Sequence, residues 1–103
     1  MVYRTLRFKA SVVHIGLFSV PLEDTEMFWK QKYYDIVLCD ENNSQLFIWD
    51  SSTEEKIALT EATVTEATVC DPDEWRTITV GQKDSGSVFV SKGDTPNSIF
   101  MEY

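Results

Sequence analysis

The chain has 103 residues, enough for one domain with a single modest core that buries roughly 60–70% of its unfolded surface. Hydrophobic residues make up 43% and charged residues 25%, which excludes a wholly disordered chain. Nine Lys and Arg stand against seventeen Asp and Glu, a net charge of −8, which argues against avid, sequence-independent binding to phosphate backbones and against anionic membrane surfaces.

Thr5 to Val20 reads as one long strand with a bend. Phe8, Ala10 and Val12 alternate with Lys9, Ser11 and Val13, and Gly16 interrupts the apolar run Val12-Val13-His14-Ile15. A glycine inside a strand marks a bulge or a sharp coil of the sort small barrels need at their corners; an ordinary strand end fits equally well. Pro21 to Gln31 is a connection in which Glu23, Asp24 and Glu26 lead to Met27, Phe28 and Trp29. Bulky apolar residues in a loop either tuck back onto the domain or meet a partner, and Trp is a favoured interface anchor. Met27, Phe28 and Trp29 are therefore the candidate partner-binding residues. At least one of Phe28 and Trp29 is expected to touch another chain or a second copy of this one.

Lys32 to Asp50 reads as a hairpin around the turn formers Asp40-Glu41-Asn42-Asn43-Ser44. Tyr34, Ile36 and Leu38 share one face, and Tyr33, Asp35, Val37 and Cys39 the other; Leu46 and Ile48 oppose Phe47 and Trp49. Ile36, Leu38, Leu46 and Ile48 are the expected core. Both faces are apolar, so the hairpin is expected to be central and covered. Ser51 or Ser52, with Glu54 or Glu55 three residues on, forms a capping box, which predicts a short helix over Thr53–Leu59. Thr60-Glu61-Ala62-Thr63-Val64 repeats at once as Thr65 to Val69, and a strand is expected over Ala62–Cys70. Asp71 to Glu74 is a turn, Trp75 to Gly81 a strand, Gln82 to Gly86 a turn and Ser87 to Ser91 a last short strand. A loose tail follows from Lys92.

No constellation for chemistry stands out. His14 is the only histidine, inside an apolar strand, and is expected to be a core or edge residue rather than an acid–base. Cys39 and Cys70 are too few for a disulfide scaffold or a zinc set and are expected to be buried thiols. Asp71, Asp73 and Glu74 read as a solvated turn. No nucleophile–base pair, phosphate loop or Gly-rich fingerprint appears, so no metal or cofactor is expected and the chain reads as a non-enzyme. No apolar run approaches the ~18–20 residues of a membrane span, and no secretory apolar region follows the first positive charges, so an intracellular setting is expected. Asn42-Asn43-Ser44 matches a glycosylation acceptor but carries little weight in that setting.

The element order is strand, strand, strand, short helix, strand, strand, then a small extra strand. That order resembles the OB-fold, an all-β, five-stranded Greek-key barrel with one helix between its third and fourth strands. The segments Asp35-Ile36-Val37-Leu38-Cys39-Asp40, Leu46-Phe47-Ile48-Trp49-Asp50 and Ala67-Thr68-Val69 with Trp75-Arg76-Thr77-Ile78-Thr79-Val80-Gly81 resemble the single-stranded-DNA-binding OB-folds of the replication protein A, telomere end-binding and shieldin type. The resemblance implies base stacking on Tyr33, Phe47, Trp49 and Trp75, with Lys30, Lys32 and Arg76, joined by Arg4, Arg7 and Lys9, as basic contacts. The plain alternative is that these aromatics pack under the connection or against a partner. The resemblance implies a non-catalytic nuclear module of an assembly handling single-stranded DNA, such as a telomere, replication or DNA repair complex, and the acidic balance favours its protein-binding role. Such a module acts mainly through protein partners, with weak or shared single-strand contact and the option of self-association. A second resemblance, of Trp29-Lys30-Gln31-Lys32-Tyr33-Tyr34 and Ile57-Ala58-Leu59, is to pleckstrin-homology-like adaptors that bind a peptide or a phosphoinositide headgroup. That fold needs a long C-terminal helix, and Ser91 to Tyr103, with Gly93 and Pro96, lacks a helical period. An immunoglobulin-like sandwich would need about seven strands and no helix.

Overall fold

The structure, a computed structural model, describes residues 1–17, 32–41, 43–63 and 69–103. Period-two patterning sets its strands. On β1 (Val2–Ala10), Leu6, Phe8 and Ala10 turn inward while Thr5, Arg7 and Lys9 face water. On β2 (Val13–Leu17), Val13, Ile15 and Leu17 turn inward in the same way. The hairpin follows as β3 (Lys32–Asp40) and β4 (Asn43–Asp50), then β5 (Glu55–Thr63), β6 (Asp71–Gln82), β7 (Val88–Lys92) and β8 (Ile99–Glu102). Every pairing is antiparallel. One sheet runs β1-β6-β7-β8, the other β2-β3-β4-β5.

The all-β expectation holds. The single five-stranded barrel does not describe these strands, because the chain changes sheets at Ser11 and Val12 instead of bending within one strand. β1 hydrogen-bonds to β6, and β2 to β3. Gly16 is not the corner. It lies inside β2 opposite Asp35, and the irregularity falls between Phe8 and Ala10. The two sheets enclose one core in which Ile36, Leu38 and Leu46 meet Ile78, Val80, Val88, Val90 and Met101. Ile48 is half-buried rather than central.

Three further expectations are corrected. Thr53–Leu59 is not a helix. Asp50 takes the capping role itself: its Oδ1 accepts from the Ser52 amide at 3.0 Å and the Ser52 hydroxyl at 2.6 Å, and its carbonyl accepts from the Glu54 amide at 2.8 Å. Glu54 then adopts a left-handed φ of 57°, which ends the helical path after one turn and launches β5. The strand expected over Ala62–Cys70 meets the described chain only at its ends. Ala62 and Thr63 finish β5, Val69 and Cys70 belong to no strand, and residues 64–68 lie outside the described residues. The loose tail is β8, paired with β7 and lying against β5 and β4. The connecting segment is fixed by buried hydroxyls. Thr79 Oγ1 donates to the Gly93 carbonyl and Ser91 Oγ to the Thr95 carbonyl, both at 2.8 Å, and Ser91 Oγ accepts from the Ser98 amide at 3.0 Å.

Cys39 and Cys70 are not thiols but a disulfide, which ties the end of β3 in one sheet to the start of β6 in the other. Strict alternation places Cys39 on the outer face with Val37. A register shift between Val37 and Asp40, with Cys39 at φ 66°, breaks that alternation, and Cys39 joins the core cluster. Its amide donates to the fully buried Ser44 hydroxyl at 3.1 Å.

Candidate ligand-binding cleft

A cavity of about 430 Å3 lies where β1 begins and β6 ends in one sheet and where β2 ends and β3 begins in the other. Val80 and Val88 form its buried floor, and Leu17 and Tyr34 its opposite wall. Val2, Tyr3, Gly81 and Gln82 complete the lining, with Arg4 from β1 and Lys32 from β3. The volume falls within the ~300–1,000 Å3 of small-molecule sites.

The cations reach the cleft for a reason visible in the pleat. Arg4 and Val2 continue the inward-facing series of Leu6 and Phe8, and Arg4 stands opposite Val80. Lys32 continues the series of Tyr34 and Ile36. Each sheet thus ends its apolar inner face in one positive charge, and both cations remain solvent-accessible. Asp50 pairs with Lys32 across the strands but does not line the cleft, and its carboxylate is engaged by Ser52. The Ser52 hydroxyl, foremost, and Lys32 to a lesser degree hold the Asp50 carboxyl below its usual range. None of the described lining residues is acidic, in a chain with seventeen acids.

Gly81 shapes this end. A Cβ there would stand 2.5 Å from the Val2 carbonyl oxygen, 2.6 Å from Tyr3 Cβ and 2.8 Å from the Phe89 ring. Only glycine lets the fully buried Phe89 lie across β6 beside Tyr3 and keeps β1 close enough to wall the cleft.

The residues singled out for nucleic acid do not form one surface. Tyr33, Phe47 and Trp49 share the outer face of the β2–β5 sheet, where Tyr33 pairs with Trp49. Phe47 is only 5% exposed, and Lys56 Nζ sits 4.4 Å from its ring centroid. Trp75 lies in the other sheet, 54% exposed beneath the Arg7 guanidinium at 4.8 Å. Arg76 pairs with Asp71 at 3.3 Å and Glu74 at 3.1 Å. Among the described ones, Lys32 and Arg4 line the cleft. Lys30, Met27, Phe28 and Trp29 lie outside the described residues. Arg4 entered the sequence reading only as a general basic contact. The signal that marks it is a cation at a position where the strand period calls for a core residue.

The sequence matches the model of the farnesoic acid O-methyltransferase family over residues 4–103. The chain belongs to that family. No curated protein and no solved structure matches it. Membership of the farnesoic acid O-methyltransferase family overturns the resemblance to single-stranded-DNA-binding OB-folds, and with it the DNA repair and telomere module and the pleckstrin-homology-like adaptor. The non-enzymatic reading is corrected by the same finding, because this family is named for a methyl transfer. The OB-like pattern arose from the β3–β4 hairpin, whose alternation and polar turn are common to many antiparallel sheets and carry no ligand information. Among the described residues of this family member, no helix is long and apolar enough to cross a membrane, and no cluster of His, Cys, Asp and Glu could hold a metal ion.

One titratable group lies apart from the cleft. Asp35 is half-buried on the outer face of β3. Burial raises its carboxyl above the usual range, against the opposing charges of His14 and Lys56. The same burial, followed by the Asp35 charge, raises the Tyr33 phenol. A folded-state Asp pKa above the unfolded value means the folded chain holds its proton longer, so stability falls as pH rises through that interval. Asp35→Asn is therefore expected to raise unfolding stability at neutral pH, by about 1 kcal/mol or less for a partly exposed carboxyl. The gain should vanish below about pH 4, where the unfolded Asp is also protonated. Urea unfolding at several pH values checks this, and a gain that persists at low pH would point to a cause other than the charge.

Proposed function

We propose that this domain holds the apolar carboxylic acid consumed by a carboxyl methyl transfer, farnesoic acid or an acid of the same chemistry. The observation that carries the reading is the inter-sheet cleft, apolar in its walls and supplied with one cation from each sheet. An isoprenoid acid has a hydrocarbon chain and one carboxylate. The chain gains about 0.8 kcal/mol for each buried methylene against Leu17, Tyr34, Val80 and Val88. The carboxylate meets Arg4 and Lys32 at the mouth, where charge-assisted hydrogen bonds form without burying either cation. The net charge of −8 makes a local pair of cations, with no acid among the described lining residues, a specific feature rather than a general attraction for anions. The Cys39–Cys70 disulfide favours an oxidising compartment for the domain over a reducing nuclear one.

Titration of the intact chain with farnesoic acid tests the reading. Arg4→Gln with Lys32→Gln is expected to weaken binding roughly 10–100-fold, the loss of two partly solvated charge-assisted contacts. The corresponding alcohol should bind the wild type and the double variant alike. Equal acid affinity in both proteins would remove the cleft as the acid's site.

A further inference from the structure

A methyl transfer to a carboxylate turns a charged acid into a neutral ester, so a site that carries charge can tell substrate from product. The described lining of the cleft supplies two cations, Arg4 and Lys32, on facing sheets and no acid. Those charges favour a free carboxylate over its ester.

We infer that the cleft is an acid-selective site that holds the free acid and releases its methyl ester. The inference rests on reading the cleft as the acid's site and goes beyond it in assigning the selectivity to Arg4 and Lys32. The free acid keeps both charge-assisted contacts. Its methyl ester is neutral and retains only the apolar ones, so it binds less tightly and leaves. Arg4 and Lys32 are then specificity-determining residues, since they tell acid from ester by charge. An acid bound there is also kept from its product: accumulated ester competes poorly for the same walls.

The test uses the intact chain and two probes: farnesoic acid and its methyl ester. The acid is expected to bind at least tenfold tighter than the ester, and Arg4→Gln with Lys32→Gln should erase that difference. An ester that binds as tightly as the acid overturns the inference and leaves the acid-binding reading intact. Failure of the acid to bind at all removes that reading and the inference together. Thermal unfolding of each variant confirms that it is folded before its binding is compared.

Discussion

Replacing Cys39 and Cys70 together with alanine is expected to lower the unfolding free energy by about 4 kcal/mol. The disulfide closes a loop with a sequence separation of 31, and the chain-entropy cost of leaving that loop open is about 3.5–4 kcal/mol. A domain of this size typically has ~5–15 kcal/mol in all, so the loss threatens folding at physiological temperature. The bond also joins the two sheets, which in the described chain are otherwise held together by side-chain packing across the core. Chemical denaturation of the wild type with and without a thiol reductant separates the cross-link from its packing, because reduction opens the bond and keeps both sulfurs. Reduction that shifts the midpoint about as far as the double substitution confirms the entropic account. A shift near zero on reduction would assign the effect to lost side-chain volume instead.

Gly81→Ala is the second change with a large expected effect, a destabilisation of about 2–3 kcal/mol. The added methyl meets backbone and a Cβ as well as a ring: the Val2 carbonyl oxygen at 2.5 Å and Tyr3 Cβ at 2.6 Å cannot rotate away, whereas the Phe89 ring at 2.8 Å can be trimmed. Relief therefore requires the start of β1 to move, and that segment carries Val2, Tyr3 and Arg4 into the cleft. Stability and acid affinity should fall together. Adding Phe89→Leu should not rescue either, since the backbone contact remains and a buried ring is lost. Full rescue by Phe89→Leu would show that the ring, not the approach of β1, sets the glycine requirement.

The sequence carries the period-two signal strongly, and the strands with an unbroken alternation, from Leu6 through Phe8 and from Tyr34 through Leu38, face as that signal predicts. It fails where backbone conformation overrides residue preference. Glu54 is a good helix former in a good capping context, yet its left-handed φ ends the turn after Asp50 has taken the cap. Cys39 departs from its expected face because a bulge precedes the β3–β4 turn. β8 escapes notice because Gly93, Pro96 and Asn97 look like a frayed end, while Thr79 and Ser91 fix that segment from beneath through hydroxyls that no pattern of hydrophobicity records. The disulfide is a long-range pairing between two cysteines whose spacing says nothing of their proximity. The cleft was half-legible. Arg4 and Lys32 both stand in core-facing register, but only the sheet order shows that those registers end at one place. The aromatic residues that drew attention, Tyr33, Phe47, Trp49 and Trp75, are divided between two sheets for the same reason.

The row of residues across one end of the β1-β6-β7-β8 sheet has a practical side. Val2 stands opposite Gln82, Gln82 opposite Val88, and Val88 exchanges both backbone hydrogen bonds with Tyr103, at 2.9 and 2.8 Å. The Met1 ammonium pairs with Asp84 at the same margin. Met1 and Tyr103 thus both lie beside the mouth of the cavity. A fluorophore or other bulky group attached at Met1 or Tyr103 would stand over the opening and screen Arg4 from solvent. Surface immobilisation through those positions should depress apparent ligand uptake, whereas attachment within the Gly93–Ser98 turn, at the opposite end of β7, leaves the opening clear.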